Sequence, residues 1–360
     1  MAKRAILFLV AVAVIAAGIV VFILVRRGSA PSTVTLLPPA DAYLYFDVAI
    51  VRRSDVFGSL PKVDFDPEYA EFVRQTGFNL ERDLDEAAFA LQRSPVTETQ
   101  GTSPQPPEWR NTGVFTVSFD RAKVEAYLRG ISKGTETYRN TTIYSIPLPG
   151  RTVRVAILDA RTVAASNTDG PYVLQGIIDR HAQLTRSAPA LVHDFYGQLP
   201  WGSLAWAIVR PPESGNSGTA ELELPGGSFT VPAGTVVAAS VRYLGSINLR
   251  AQAFAPSADA AKNMAERLGA FVSVFRTLEG AQARGNDQDV KGFFDSLHVS
   301  VDGDRAELEA TVPSGFLKKL VANAPNAGLE NQPATAPPNA HVEAPSPNTP
   351  RGHQHARAPR

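Results

Sequence analysis

The sequence predicts an α+β protein: an N-terminal transmembrane helix, two similar antiparallel sheet-plus-helix repeats in the order β-insertion-ββαββα, and a disordered C-terminal tail. Three features predict it. The chain opens on an apolar run, Ala5 to Val25, with no polar side chain. Its middle holds short strands that alternate apolar and polar residues, interrupted by capped amphipathic helices. Its end, from about Asn323 to Arg360, is rich in Pro, Ala and Asn and nearly lacks large apolar side chains. The expected boundaries are residues 1–30 for the anchor and its flank, 31–39 for a tether, 40–198 and 199–322 for the two repeats, and 323–360 for the tail.

Composition agrees with a globular body. Of 360 residues, 44% are apolar and 19% charged, which is enough to build a sizeable core. Lys plus Arg and Asp plus Glu stand at 35 each, so no global field draws the chain to nucleic acid. There is no cysteine. That excludes disulfides, thiolate zinc sites, a cysteine nucleophile and cysteine-linked lipid.

Residues 5–25 are 21 in number; as a helix rising about 1.5 Å per residue they would reach roughly 30 Å, a bilayer's hydrocarbon thickness. The run is longer than the roughly 7–15 apolar residues of a cleaved signal peptide. Arg26 and Arg27 follow it, and Pro31 follows the small residues Gly28-Ser29-Ala30. An uncleaved signal anchor is therefore expected, with the lipid bilayer as partner of residues 5–25. Lys3 and Arg4 nearly balance Arg26 and Arg27; the tiny amino-terminal tail favours an exported C-terminal body.

The repeat is read from pattern. Leu37-Pro38 opens LPPADAYLYFDVAI and Leu199-Pro200 opens LPWGSLAWAIVR, each an entry turn followed by an aromatic-rich strand. A strand pair follows in each half, Glu86–Gln92 with Gly113–Phe119, and Thr235–Leu244 with Ile247–Phe254. Asp120 and Ser257 then cap helices. Val124, Tyr127 and Leu128 share a face of the first; Ala261, Met264, Leu268, Phe271, Val272 and Phe275 recur at helical spacing along the second. Phe271 is expected to cover Ile247, Leu249, Leu308 and Ala310. Strands Thr142–Ile146, Val153–Leu158 and Thr162–Ser166 complete the first half; Leu297–Val301 and Ala306–Val312, joined at Asp302-Gly303, complete the second. Short helices at about Pro171–Asp179 and Gly315–Val321 close them. Arg52 to Asp85 is extra, helical around Glu68–Thr76, and Ser94–Thr112 and Pro211–Gly234 read as surface loops. Alternation puts Asn248, Arg250, Gln252, Glu307, Glu309 and Thr311 on a wet face.

No nucleophile elbow, phosphate loop, dinucleotide fingerprint or HExxH motif occurs. No catalytic residue, cofactor site or metal site is assigned. His193-Asp194 with Ser203 has no triad motif around it, His298 reads as a surface residue, and His353-Gln354-His355 lies in the tail. The acidic segment Asp64, Asp66, Glu68, Glu71, Glu81, Asp83, Asp85 and Glu86 is interleaved with Arg74 and Arg82, which suits helix caps and a solvated face. Trp201 and Trp206 match Tyr43, Tyr45 and Phe46 in the other half; a ligand platform is conceivable, and aromatic core strands are the simpler account. Asn140-Thr141-Thr142 is formally a glycosylation sequon.

The segments LPPADAYLYFDVAI, TGFNLERDLDEAAFAL (Thr76–Leu91), VFTVSFDRAKVEAYL (Val114–Leu128) and VAILDARTVAASN (Val155–Asn167) resemble uncharacterised bacterial membrane-anchored proteins with β/α repeats, across roughly residues 37–180. The resemblance implies a single-pass protein of the bacterial inner membrane, within the cell envelope, and transfers no catalytic residue. The expected function is a membrane-tethered, non-catalytic binding or scaffolding module with an envelope protein as partner. The rival expectation is an envelope hydrolase using Asp64 to Glu86.

Overall fold

The computed structural model describes residues 29–54, 67–93, 109–214, 217–224, 227–281, 288–313 and 315. The chain order is α1 (Ser32–Thr35), β1 (Ala42–Asp47), α2 (Val48–Arg53), α3 (Pro67–Thr76), α4 (Leu80–Asp83), β2 (Leu84–Arg93), β3 (Trp109–Val117), α5 (Arg121–Ile131), β4 (Gly134–Tyr138), β5 (Thr141–Leu148), β6 (Arg151–Ile157) and β7 (Thr162–Ser166). It continues through α6 (Tyr172–His181), α7 (Ala190–Phe195), a 3-10 turn (Tyr196–Gln198), β8 (Ala205–Val209), β9 (Thr219–Leu224), β10 (Gly227–Pro232), β11 (Val236–Tyr243), β12 (Ile247–Phe254), α8 (Ala258–Ala281), α9 (Gln288–Ser296), β13 (His298–Asp302) and β14 (Arg305–Val312).

The two expected sheets are one. Twelve strands run in the order β13-β14-β12-β11-β8-β1-β2-β3-β7-β6-β5-β4, every neighbouring pair antiparallel. This corrects the expected fold of two separate repeats. The reason lies in the two entry strands: β1 and β8 pair from Ala42↔Val209 to Phe46↔Ala205. Either half alone would end on a row of unpaired backbone N–H and C=O groups. Here each half's open edge satisfies the other's.

Helices cover both faces. Packing of α1, α6 and α7 on one face forms the main core, with Val34, Leu36, Leu37, Tyr43, Leu174, Ile177, Val192 and Ile208 all buried. On the other face α5 covers Tyr144 and Ile157 through Val124 and Leu128, and α8 covers Ala306 through Ala261 and Met264. Asp120 and Ser257 cap α5 and α8 as expected, accepting from Lys123 N and Ala260 N at 3.2 Å each.

Several local expectations change. The 31–39 segment contributes Val34, Leu36 and Leu37 to the core and is held there by side chains. The Tyr43 hydroxyl donates to the Pro38 carbonyl at 2.9 Å, and Arg180 Nε donates to the Leu36 carbonyl at 2.9 Å. Burial pushes the Tyr43 phenol up to about 12. Within Pro211–Gly234, β9 and β10 form a hairpin that places Ala220 and Val231 against α8. Phe271 is 58% exposed, whereas Met264 and Val272 are buried.

The membrane expectation is corrected too. Among the described residues no helix is long and apolar enough to cross a membrane. Even the 24-residue α8 carries Lys262, Glu266 and Arg267 on its exposed side. The Ala5–Val25 run, the helix expected at Gly315–Val321 (apart from Gly315) and the 323–360 tail lie outside the described residues. Among the described residues, then, none supplies the spanning helix that a single-pass membrane protein with a signal anchor needs.

Candidate functional site

Pairing β1 with β8 does more than close the sheet. It sets Tyr45 directly opposite Trp206, and the rings stack at 5.5 Å between centroids and 23° between planes. On the other side of β1, Asp47 stands opposite Glu86 of β2. Residues two apart on a strand share a face, so Tyr45 and Asp47 point the same way. The stacked pair and the two carboxylates thus form one floor. Tyr196, in the turn after α7, meets Trp206 edge-to-face at 5.5 Å. Ser29 to Ser32 and the Leu199–Ser203 loop raise the walls, enclosing about 630 Å³. Trp201 stands at the rim, 69% exposed.

The electrostatics of this pocket are one-sided. Its lining holds Asp47 and Glu86 and no Lys, Arg or His. Asp47 Oδ1 accepts from Ile50 N at 2.9 Å, capping α2. Glu86 Oε2 accepts from the Thr33 hydroxyl at 3.2 Å. Burial, reinforced by Asp47 and Asp85, pushes the Glu86 carboxyl above its ordinary range despite that hydrogen bond. The Tyr45 and Tyr196 phenols are also pushed up, by burial first and then by Glu86. Desolvated aromatic faces beside carboxylates suit a cation: a ring face attracts positive charge, and the carboxylates lack a positive partner in the pocket.

The other sequence candidates do not gather. Asp85, at the bulge between Leu84 and Glu86, pairs with Arg52 at 2.7 Å and with Arg161. Asp83 pairs with Arg82 at 2.6 Å and Glu71 with Arg74 at 2.5 Å. Asp64 and Asp66 lie outside the described residues. His193 Nδ1 meets Asp194 Oδ1 at 3.1 Å on an exposed surface, while the Ser203 hydroxyl donates to the Pro200 carbonyl at 2.6 Å, so no triad forms. His298 is exposed, and His353 and His355 are outside the described residues. No group of three or more potential metal ligands occurs among the described residues. The sequence flagged Tyr45, Trp201 and Trp206 together as a conceivable platform, and Glu86 apart from them in the acidic segment. It missed Asp47, Tyr196 and the Ser29–Ser32 wall, and the matching entry strands were the one signal that could have joined them.

Fold and site together define a protein built on a single twelve-stranded antiparallel sheet with an acidic aromatic pocket at its central seam. No family model matches the chain, and no curated protein matches it. Solved structures of TP0453 in crystal forms I, III and IV are similar at 12% identity and TM-scores of 0.39, 0.42 and 0.39, over 82% of this chain and 98% of theirs. A likeness of that degree carries no functional inference.

Proposed function

We propose that this chain is a non-catalytic binding module whose seam pocket takes a cationic amine bearing an apolar body. The observation that supports the reading is the pairing of a Tyr45–Trp206 stack with two carboxylates that have no positive partner in the pocket. The rival, a hydrolase using Asp64 to Glu86, needs convergent carboxylates. Of that segment only Glu86 lines the pocket among the described residues.

Titrating the full-length chain with benzylamine, and with benzyl alcohol as the neutral counterpart, tests this by calorimetry and tryptophan fluorescence. Benzylamine should bind and benzyl alcohol should bind at least tenfold more weakly. Trp206→Ala and Glu86→Gln should each weaken benzylamine by roughly tenfold, in line with the 1–2 kcal/mol of a desolvated cation–π contact or a charged hydrogen bond. Because Glu86 must be ionised to attract the ligand and its pKa is raised, affinity should fall as pH drops through that raised value. Equal binding of amine and alcohol would sink the proposal.

A further inference from the structure

A second concavity has the opposite charge and arises from a gap in the sheet. Strand β7 stops being paired at Ser166 on both sides, opposite Thr112 of β3 and Arg154 of β6. Its neighbours run on. β3 extends back to Trp109 and β6 to Arg151. Where β7 peels away toward α6, the two flanking strands border a notch of about 520 Å³. Asn167 partly bridges it, its side chain accepting from Asn111 N at 2.6 Å.

Three arginines line the notch, Arg110, Arg151 and Arg154, together with one acidic residue, Asp169. Two positive charges are left after that compensation. Arg110 pairs with Asp169, whose side chain is 75% exposed and lies on the solvent side of the pair. Arg154 is fixed by donating from Nη1 to the Thr168 carbonyl at 2.6 Å, which leaves its other N–H groups. Thr168, in the lining, is tied to a chain of buried hydroxyls that runs through Ser166 to Thr112 at 3.0 Å per step. Arg93, 5.3 Å from the Trp109 ring, adds positive charge at the margin.

We infer that this notch binds a phosphate group, free or carried as a monoester. The charge matches: a phosphate carries about −1.5 to −2 near neutral pH, against two uncompensated positive charges. The donor chemistry matches as well, because guanidinium forks meet tetrahedral oxyanions with two parallel N–H···O bonds. Asp169 acts as an internal competitor that occupies Arg110 until the ligand displaces it. The site goes beyond the amine reading and stands independently of it, on different strands and with the opposite charge.

The test is calorimetric titration of the full-length chain with inorganic phosphate and with glycerol 3-phosphate, at ionic strength held constant with chloride. Saturable binding is expected for at least one of them, and their ratio tells a free ion from an esterified group. Arg151→Ala should weaken binding at least fivefold and Arg151→Lys less. Asp169→Asn should tighten it several-fold, because the competing carboxylate is gone. Opposite signs at two residues of one notch are not produced by a general loss of structure, and Lys262→Ala on α8 should change nothing. Phosphate that binds no better than chloride, or affinities indifferent to both Arg151 and Asp169, would overturn the inference.

Discussion

Glu307 shows how far a single residue can depart from its sequence pattern. Strict alternation along β14 puts it on the wet face, yet it is 8% exposed, and Gln252 beside it is 1% exposed. Register explains this. Gln252 stands opposite Glu307, Arg250 opposite Glu309 and Asn248 opposite Thr311, so the polar residues of β12 and β14 form a cross-strand ladder. Arg250 Nη2 donates to Glu307 Oε2 at 2.8 Å, and Gln252 Nε2 to the same oxygen at 3.3 Å. Burial pushes the Glu307 carboxyl up, but Arg250 and the hydrogen bonds outweigh it, leaving the pKa below the ordinary range. A depressed acid stabilises the fold above its unfolded value, about 4.3 for Glu, and that stability is lost as pH falls through the folded value. Glu307→Ala should cost about 2 kcal/mol at pH 7, because it leaves Arg250 only its longer 3.7 Å pairing with Glu309 and removes the carboxylate that Gln252 donates to. The double variant Arg250→Met with Glu307→Leu should recover most of that loss. Chemical unfolding at pH 7 and at pH 3 measures both, and a variant whose deficit is unchanged at pH 3 would contradict the linkage. The polar alternation was legible in the sequence; which polar residue meets which was not, because register belongs to the pairing of strands far apart in the chain.

Elements were legible where their signals are local. The caps at Asp120 and Ser257, the strand pairs β2–β3 and β11–β12 and the short β7 follow from side-chain pattern alone. The hairpin β9–β10 was not legible, since PPESGNSG and VPAG outweigh TAELEL by composition, and its strands gain order by packing on α8. Helix α8 shows a subtler limit. At about 100° per residue, Phe271 lies only about 20° from Met264, so the two share a face of the helix, yet Phe271, two turns further along the axis, is 58% exposed and Met264 2%. A count of apolar residues at helical spacing includes both, because spacing gives the face of the helix and not how far along the axis that face is covered. Met264→Asp should therefore cost about 3 kcal/mol or more, the sum of lost packing and a buried charge. Phe271→Asp should cost about 1 kcal/mol or less. Thermal unfolding of the two variants ranks them directly, and equal losses would mean that the turn of α8 carrying Phe271 is covered as fully as the turn carrying Met264. A different local rule holds on β3. Gly113 faces Phe89 across the strand pair, and a Cβ there would sit 2.6 Å from the Phe115 ring. Its bareness lets Phe46, Phe89 and Phe115 form an edge-to-face row across β1, β2 and β3, with centroids 6.3 and 5.4 Å apart.

At the scale of the molecule, the doubled pattern was legible and its meaning was not. Two similar halves can fold as separate domains or fuse through equivalent edges, and sequence periodicity is the same in both cases. What decides is the open edge. Strand β8 carries Trp206 and Ile208 on one face and Ala205, Ala207 and Val209 on the other, with no charged residue to guard it. Such an edge pairs with whatever strand is offered. In the intact chain that strand is β1, carried on the same polypeptide and therefore always present. The main core then runs across the seam, joining Leu37, Tyr43 and Tyr45 of one half to Trp206, Ile208 and Ala238 of the other. A core shared in this way makes the halves one cooperative unit, so residues 29–313 should unfold in a single transition, with calorimetric and van't Hoff enthalpies equal. Residues 199–313 expressed alone should self-associate or precipitate, because β8 is left unpaired and Trp206 loses its Tyr45 partner. Supplying residues 29–198 in co-expression should restore a soluble one-to-one complex, since β1 covers that edge. Ala207→Pro should break both outcomes together, removing a backbone donor and crowding the middle of a central strand, at a cost of about 3 kcal/mol or more. Two separate unfolding transitions in the intact chain, or a monomeric and stable 199–313 fragment in sedimentation velocity, would show that the seam is dispensable; the seam pocket would then be held by two independently folding halves rather than by one continuous sheet.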